Sequence, residues 1–94
     1  MYVVWGTFLK PSTLGGCLAL AEDALRSQNL QVLKGADGAD FLVVGGNVYV
    51  TLTIVCVPQP GGTWIVVSAS SGDATMATQA RDLIRGVLES TPVA

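Results

Sequence analysis

The most strand-like stretch of this 94-residue chain reads Gly45-Gly-Asn-Val-Tyr-Val-Thr-Leu-Thr-Ile-Val-Cys-Val57. Its β-branched residues predict a long strand over 48–57. Successive strand side chains point to opposite faces, so the even positions share one face and the odd positions share the other. The even set is wholly apolar (Val48, Val50, Leu52, Ile54 and Cys56), which predicts that this face meets helices, whereas the odd set begins at Tyr49 and ends at Val57.

The flanking residues predict a meander around this strand. Gly45-Gly46-Asn47 supplies the positive φ angles of a tight turn, so we expect 41–44 to fold back against 48–57. The prolines and glycines of 58–62 end the central strand, and 63–70 is predicted to return antiparallel to it.

The rest of the chain supplies a first strand and two amphipathic helices. Residues 2–8 read as a strand, and Gly6 within it indicates a close approach by a helix. One helix follows the N-cap residues at 12–13, and the second follows the N-cap residues at 70–73. The order is β-α-β-β-β-β-α, or β-α-β-β-β-α if 30–34 is not a strand. We expect one α+β domain over 1–94, a two-layer sandwich with a mostly antiparallel sheet of four to five strands and two helices on one face, closest to a ferredoxin-like variant.

Composition narrows the range of functions. Only 13% of residues are charged, the formal net charge is −2 and the five cations are scattered, so we expect no nucleic-acid partner. Apolar runs are too short to span a bilayer, so we expect no membrane partner. Because histidine is absent and the two cysteines match no zinc spacing, we expect no metal or cofactor. A complete chain without a signal peptide would be cytoplasmic, and an exported domain that has lost its leader is the alternative.

The face opposite the helices is predicted to be apolar and uncharged. It would carry Val57 and five further side chains that we take as ligand or interface residues: Trp5, Tyr49, Val55, Trp64 and Val66. Because uncovered apolar faces of this size are uncommon in monomers, we expect a non-enzymatic homodimer that packs through this face. The alternative is that the same face binds an apolar small molecule. A register error of one residue in a strand would mix the two faces.

The candidates for chemistry are few. Cys17 lies in the first turn of a helix, where a thiolate is stabilised, but the chain has no histidine base, so we expect a buried apolar residue. Cys56 is expected in the core. If 30–34 is not a strand, Cys17 and Cys56 fall at opposite ends of the sheet, so no bridge between them is expected. If both helices begin at the same end of the sheet, a cleft would join Thr13, Gly15, Gly16 and Cys17 to Ser70, Ser71, Gly72 and Asp73, and an enzyme would use Cys17 or Asp73 there. Asp37 and Asp40 fall short of a calcium site.

Overall fold

The computed structural model describes residues 1–34 and 41–91. Along these residues the elements are, in order, β1 (Tyr2–Lys10), α1 (Leu14–Ser27), β2 (Gln31–Lys34), β3 (Leu42–Gly46), β4 (Val50–Gln59), β5 (Gly62–Ser71) and α2 (Ala74–Ser90). The short strand predicted near 30–34 is therefore present. The order β-α-β-β-β-β-α is the longer of the two predicted from the sequence.

The strands form a five-stranded sheet in the order β1-β5-β4-β3-β2. Every neighbouring pair is antiparallel. The α+β class and the antiparallel sheet agree with the prediction, but the ferredoxin-like arrangement is not confirmed. In a ferredoxin-like split βαβ unit a single strand lies between the two strands that the helix connects, whereas here α1 carries the chain from β1 at one edge to β2 at the other, with three strands between them.

Both helices pack on one face of the sheet. α1 contacts β2, β3 and β4, while α2 contacts mainly β1 and β5. The buried positions of β4 and β5 alternate with partly or fully exposed ones, as the sequence pattern predicts. The core between the layers is formed by aliphatic residues and both cysteines, with these side chains wholly buried: Cys17, Ala21, Leu25, Val43, Leu52, Ile54, Cys56, Ile65, Val67, Ala69, Ile84 and Leu88.

The β3–β4 turn differs from the prediction. Gly45 and Gly46 belong to β3, and neither has a positive φ. Asn47 makes the turn instead: its Oδ1 accepts hydrogen bonds from the amides of Tyr49 and Val50 at 2.7 and 3.0 Å. The central strand therefore begins at Val50 rather than Val48, whose side chain is exposed in the turn.

The two glycines are required by close packing rather than by the turn. A Cβ on Gly45 would lie 2.7 Å from the carbonyl oxygen of Gln31 and 2.7 Å from Leu25 Cδ1. A Cβ on Gly46 would lie 2.2 Å from the carbonyl oxygen of Val50. The glycines therefore let α1 and the neighbouring strand segments approach β3. By contrast, Gly61 in the β4–β5 turn has a φ of +84°, so it provides the left-handed conformation at that turn.

Both predicted helix caps are confirmed. The Thr13 hydroxyl accepts a hydrogen bond from the amide of Gly16 at 3.0 Å. The Asp73 carboxylate accepts one from the amide of Met76 at 3.0 Å. Each cap satisfies one of the amide groups that a helix start leaves without a partner.

Candidate functional site

The face of the sheet that points away from the helices is the candidate site, and we call it the outer face. On β1, β3, β4 and β5 the strand register assigns to it Val3, Trp5, Thr7, Leu9, Leu42, Val44, Thr51, Thr53, Val55, Val57, Trp64, Val66, Ser68 and Ser70. None of these side chains is charged. The structure therefore places an uncharged surface across β1, β5, β4 and β3.

The apolar members cluster toward one end. We call the upper end of the sheet the end at which β1 and β4 finish. There Leu9, Trp64 and Val57 lie side by side across three strands. The next row toward the centre contains Thr7, Val66, Val55 and Leu42. Together with Trp5, the apolar residues of these two rows form what we call the apolar patch: Trp5, Leu9, Leu42, Val55, Val57, Trp64 and Val66.

The other half of the outer face is rich in hydroxyl groups. Ser68 lies opposite Thr53, and Ser70 lies opposite Thr51, across the β4–β5 ladder. Short hydroxyl side chains leave a flat surface that can form hydrogen bonds without presenting a net charge. The outer face therefore has two halves. In one half, aromatic and aliphatic side chains project from the sheet, and in the other half, short polar side chains form a flatter surface.

The two tryptophans are the most prominent residues of the patch. Trp5 is 65% exposed and Trp64 is 48% exposed. The Trp64 indole N–H donates a hydrogen bond to Thr7 Oγ1 on the neighbouring strand. Because this donor already has a partner within the chain, an apolar surface can cover the Trp64 ring without leaving the indole N–H unsatisfied.

The structure places four of the five predicted interface residues together. Trp5, Val55, Trp64 and Val66 lie in the apolar patch. Tyr49 does not join them, because it lies in the turn before β4, and its carbonyl accepts a hydrogen bond from Ser71 Oγ at 2.7 Å at the lower end of the sheet. At about 3.3 Å per residue, Tyr49 is roughly 20 Å from Val55 along the strand.

Leu9 and Leu42 were missing from the outer face predicted from the sequence, while Val57 was predicted on that face but was not chosen as an interface residue. Leu9 was missed because the first strand was expected to end at residue 8, whereas β1 continues to Lys10. Leu42 and Val57 lie on the same face as Val55, because Leu42 is directly opposite Val55 and Val57 is two residues further along β4. Extending the alternation into the neighbouring strands is the signal that could have found Leu9 and Leu42.

An open groove borders the apolar patch at the upper end of the sheet. It encloses ≈ 600 Å³ and is lined by Thr7, Phe8, Leu9, Gln59, Pro60 and Trp64. Its volume falls within the range of small-molecule sites, and its walls are largely apolar. The groove is therefore the place on the outer face where a small apolar molecule would fit.

The two cysteines form a disulfide bond, contrary to the sequence prediction. Cys17 and Cys56 are joined, with their Cα atoms 6.3 Å apart, and both side chains are wholly buried. The prediction failed because it placed the two residues at opposite ends of the sheet. Because β4 runs parallel to β1, Cys56 lies at the same end as the start of α1, in one row with Ile65 and Phe8.

The disulfide removes the thiol on which the enzyme hypothesis depended. Among the described residues no free cysteine is present. The chain also contains no histidine. Cys17 is therefore a structural residue that joins α1 to the central strand, and it is not available as a nucleophile.

The helix-start cleft does not form, because the condition for it is not met. α1 begins after β1 at the upper end of the sheet, beside Lys10 and Thr63. α2 begins after β5 at the opposite end, where Ser71 is paired with Tyr2. Accordingly, one group of predicted residues (Thr13, Gly15, Gly16 and Cys17) lies at one end and the other group (Ser70, Ser71, Gly72 and Asp73) lies at the other.

The polar residues of that proposed cleft have structural partners instead. Thr13 and Asp73 cap their own helices. The Ser71 hydroxyl donates to the Tyr49 carbonyl and accepts from the amide of Asp73 at 3.1 Å. Ser70 is the exception, since it lies on the outer face opposite Val3 and Thr51.

Within 1–34 and 41–91, no group of three or more histidine, cysteine, aspartate or glutamate side chains is placed to hold a metal ion. Asp37 and Asp40, which were predicted to fall short of a calcium site, lie outside the described residues. Neither of the two described helices has the length and hydropathy needed to cross a bilayer.

The sequence matches no protein-family model and no curated protein.

Proposed function

We propose that this chain is a binding domain that associates with a second copy of itself through the outer face. The observation that carries the proposal is the apolar patch, in which two exposed tryptophans stand on the part of the sheet face formed by β1, β3, β4 and β5, which is uncharged and which neither helix covers. Apolar patches of this kind mark interaction surfaces, and tryptophan is enriched among the residues that dominate binding energy.

The area of the outer face suits a dimer. β1, β4 and β5 contain nine, ten and ten residues, and at about 3.3 Å per residue and about 4.8 Å between strands they present, with β3, roughly 500 Å² in projection. Two copies would bury roughly twice this area, and more when the relief of the side chains is counted. Specific interfaces bury about 1,000 Å² or more in total.

The polarity of the outer face favours a second copy over a charged partner. The outer-face residues of β1, β3, β4 and β5 carry no charge. Contact between two such surfaces therefore brings no like charges together and buries no charged group. Two such sheets can pack about 10 Å apart with their side chains interdigitated. The hydroxyl-bearing half offers both donors and acceptors, so it can pair with its own copy around a twofold axis.

The fluorescence of the protein tests this proposal, because both tryptophans of the chain lie on the outer face. As protein concentration rises through the dimerisation range, we expect the emission of Trp5 and Trp64 to shift to shorter wavelength and to become less accessible to acrylamide. Emission typical of exposed indole at every concentration, with unchanged quenching, would contradict a dimer at this face.

The second candidate function is binding of an apolar small molecule, and the groove beside Trp64 favours it. Two of its apolar lining residues, Leu9 and Trp64, also belong to the patch. The same fluorescence measurement separates the two candidates. A ligand retained in the groove would shift Trp64 emission to the same extent at every protein concentration. Self-association would instead make the shift disappear as the protein is diluted.

The disulfide supports a location in an oxidising compartment, which we propose in place of the cytoplasmic location expected for a complete chain. Disulfides form and persist mainly outside the reducing cytosol. The bridge between Cys17 and Cys56 is wholly buried and joins a helix to the central strand, as a structural bridge does. If protein isolated from its own cells under acid quench has two sulfurs that react with an alkylating reagent only after reduction, the proposal is supported. Free thiols in that material would refute it.

A further inference from the structure

β1 is an edge strand, and its own sequence offers little protection against pairing with another chain. It is bonded to β5 on one side only. From Tyr2 to Leu9 it contains no charged residue and no proline. Long uncharged edge strands rich in β-branched and aromatic residues are templates for pairing with other chains.

Two arginines of α2 bind to the carbonyl groups of this strand. Arg81 Nη1 donates to the Trp5 carbonyl oxygen at 3.2 Å, and Arg85 Nη2 donates to the Thr7 carbonyl oxygen at 3.4 Å. Trp5 and Thr7 are two residues apart, so their carbonyl groups point to the same side of the strand. Since guanidinium groups reach both, that side is the open edge rather than the ladder with β5.

Gly6 makes this arrangement possible. It faces the helices, between the two bound carbonyl groups, and a Cβ at this position would lie 3.4 Å from Arg85 Cδ and 3.6 Å from Arg81 Cδ. The stems of both arginines therefore pass over the glycine on their way to the edge. The close approach predicted at Gly6 is thus made by these two side chains.

Further contacts hold the two guanidinium groups in position. Arg81 Nη2 lies 2.8 Å from Asp82 Oδ1, and Arg85 Nε lies 3.1 Å from Glu89 Oε1. The Arg85 guanidinium also lies over the Phe8 ring, 5.6 Å from its centroid. α2 therefore places two oriented guanidinium groups, each paired with a carboxylate, along an edge strand that has no charged residue between residues 2 and 9.

We infer that Arg81 and Arg85 cap the β1 edge and prevent it from pairing with β1 of a second copy. Another strand can bond to this edge only if it displaces the guanidinium groups from the carbonyl oxygens and accommodates two ion pairs beside its own backbone. The opposite edge needs less protection, because β2 has four residues and its pairing with β3 is interrupted by a register shift. The inference concerns the edge, so it goes beyond the proposed association through the outer face.

The double variant Arg81→Gln/Arg85→Gln tests the cap. It takes the formal net charge from −2 to −4 through the loss of two positive charges, so general repulsion between molecules increases. We nevertheless expect species larger than the wild-type assembly, with thioflavin binding, at a protein concentration at least about tenfold lower than for wild type. Arg26→Gln is the matched control, because Arg26 is an arginine of α1 whose side chain pairs with Glu22 of the same helix at 3.3 Å.

Circular dichroism and a thermal melt establish that each variant is folded. If the double variant does not fold, the single variants Arg81→Gln and Arg85→Gln serve instead, since each keeps one guanidinium on the edge. A folded variant that assembles no further than wild type and Arg26→Gln would overturn the inference. Failure of this inference can be told apart from failure of the proposed function. A wild-type protein that is a monomer could still polymerise when the cap is lost, and a wild-type protein that is a dimer could remain a dimer when the cap is lost.

Discussion

Replacing Cys17 and Cys56 together with alanine is expected to lower the free energy of unfolding by about 4 kcal/mol. The bridge joins residues separated by 39 positions, so its loss frees a long loop in the unfolded chain. For a domain of this length the change corresponds to a fall in melting temperature of about 15–30 °C. Differential scanning calorimetry of the oxidised wild type and the double variant measures the difference.

Reduction provides the control for the cysteine variant. Wild-type protein unfolded and refolded in a strong reductant should melt close to the double variant, because both have lost the same constraint on the unfolded chain. A reduced wild type that melts within a few degrees of the oxidised protein would show that the bridge contributes little. The role assigned here to the bridge would then be wrong.

The substitution Val66→Lys is expected to weaken self-association at least about a hundredfold. Val66 lies on β5 at the middle of the apolar patch, directly opposite Thr7 on β1 and Val55 on β4. A lysine there would bury an unpaired ammonium group at a face-to-face contact. In the monomer the same lysine can extend into solvent from a side of the sheet that faces away from the core, so the fold should persist.

Leu83→Lys is the matched control for this variant. Leu83 is also a large aliphatic residue and is 51% exposed, but it lies on α2, in the layer opposite the outer face. We expect its dissociation constant to equal that of wild type when both are measured by analytical ultracentrifugation. If the Leu83→Lys variant dissociated while the Val66→Lys variant still associated, the interface would lie on the helices.

Local patterns predicted much of this fold. Alternation between the buried and exposed positions of β4 and β5 identified both faces of the sheet, because one face meets a continuous aliphatic core. Thr13 and Asp73 were identified as helix starts because a side-chain oxygen before an apolar helix satisfies the first amides. These features depend on residues close together in sequence.

Features that depend on global topology were missed. The Cys17–Cys56 bridge required knowing that β1 and β4 end on the same side, which follows only from the number and direction of all five strands. The same directions place the start of α2 away from that of α1. Gly45 was assigned to a turn because the approach of Leu25 to it is a tertiary contact. The bonds from Arg81 and Arg85 to β1 join residues separated by 76 and 78 positions.

The mass of the wild-type protein in solution shows whether a second copy covers the outer face. The chain has a mass of 9.7 kDa, and sedimentation equilibrium over a wide range of concentration should show a reversible species of twice that mass. The same species should retain shielded tryptophans, since Trp5 and Trp64 belong to the proposed contact. A monomer at every concentration, with Trp5 and Trp64 fully accessible to quencher, would contradict the claim that a second copy covers the outer face.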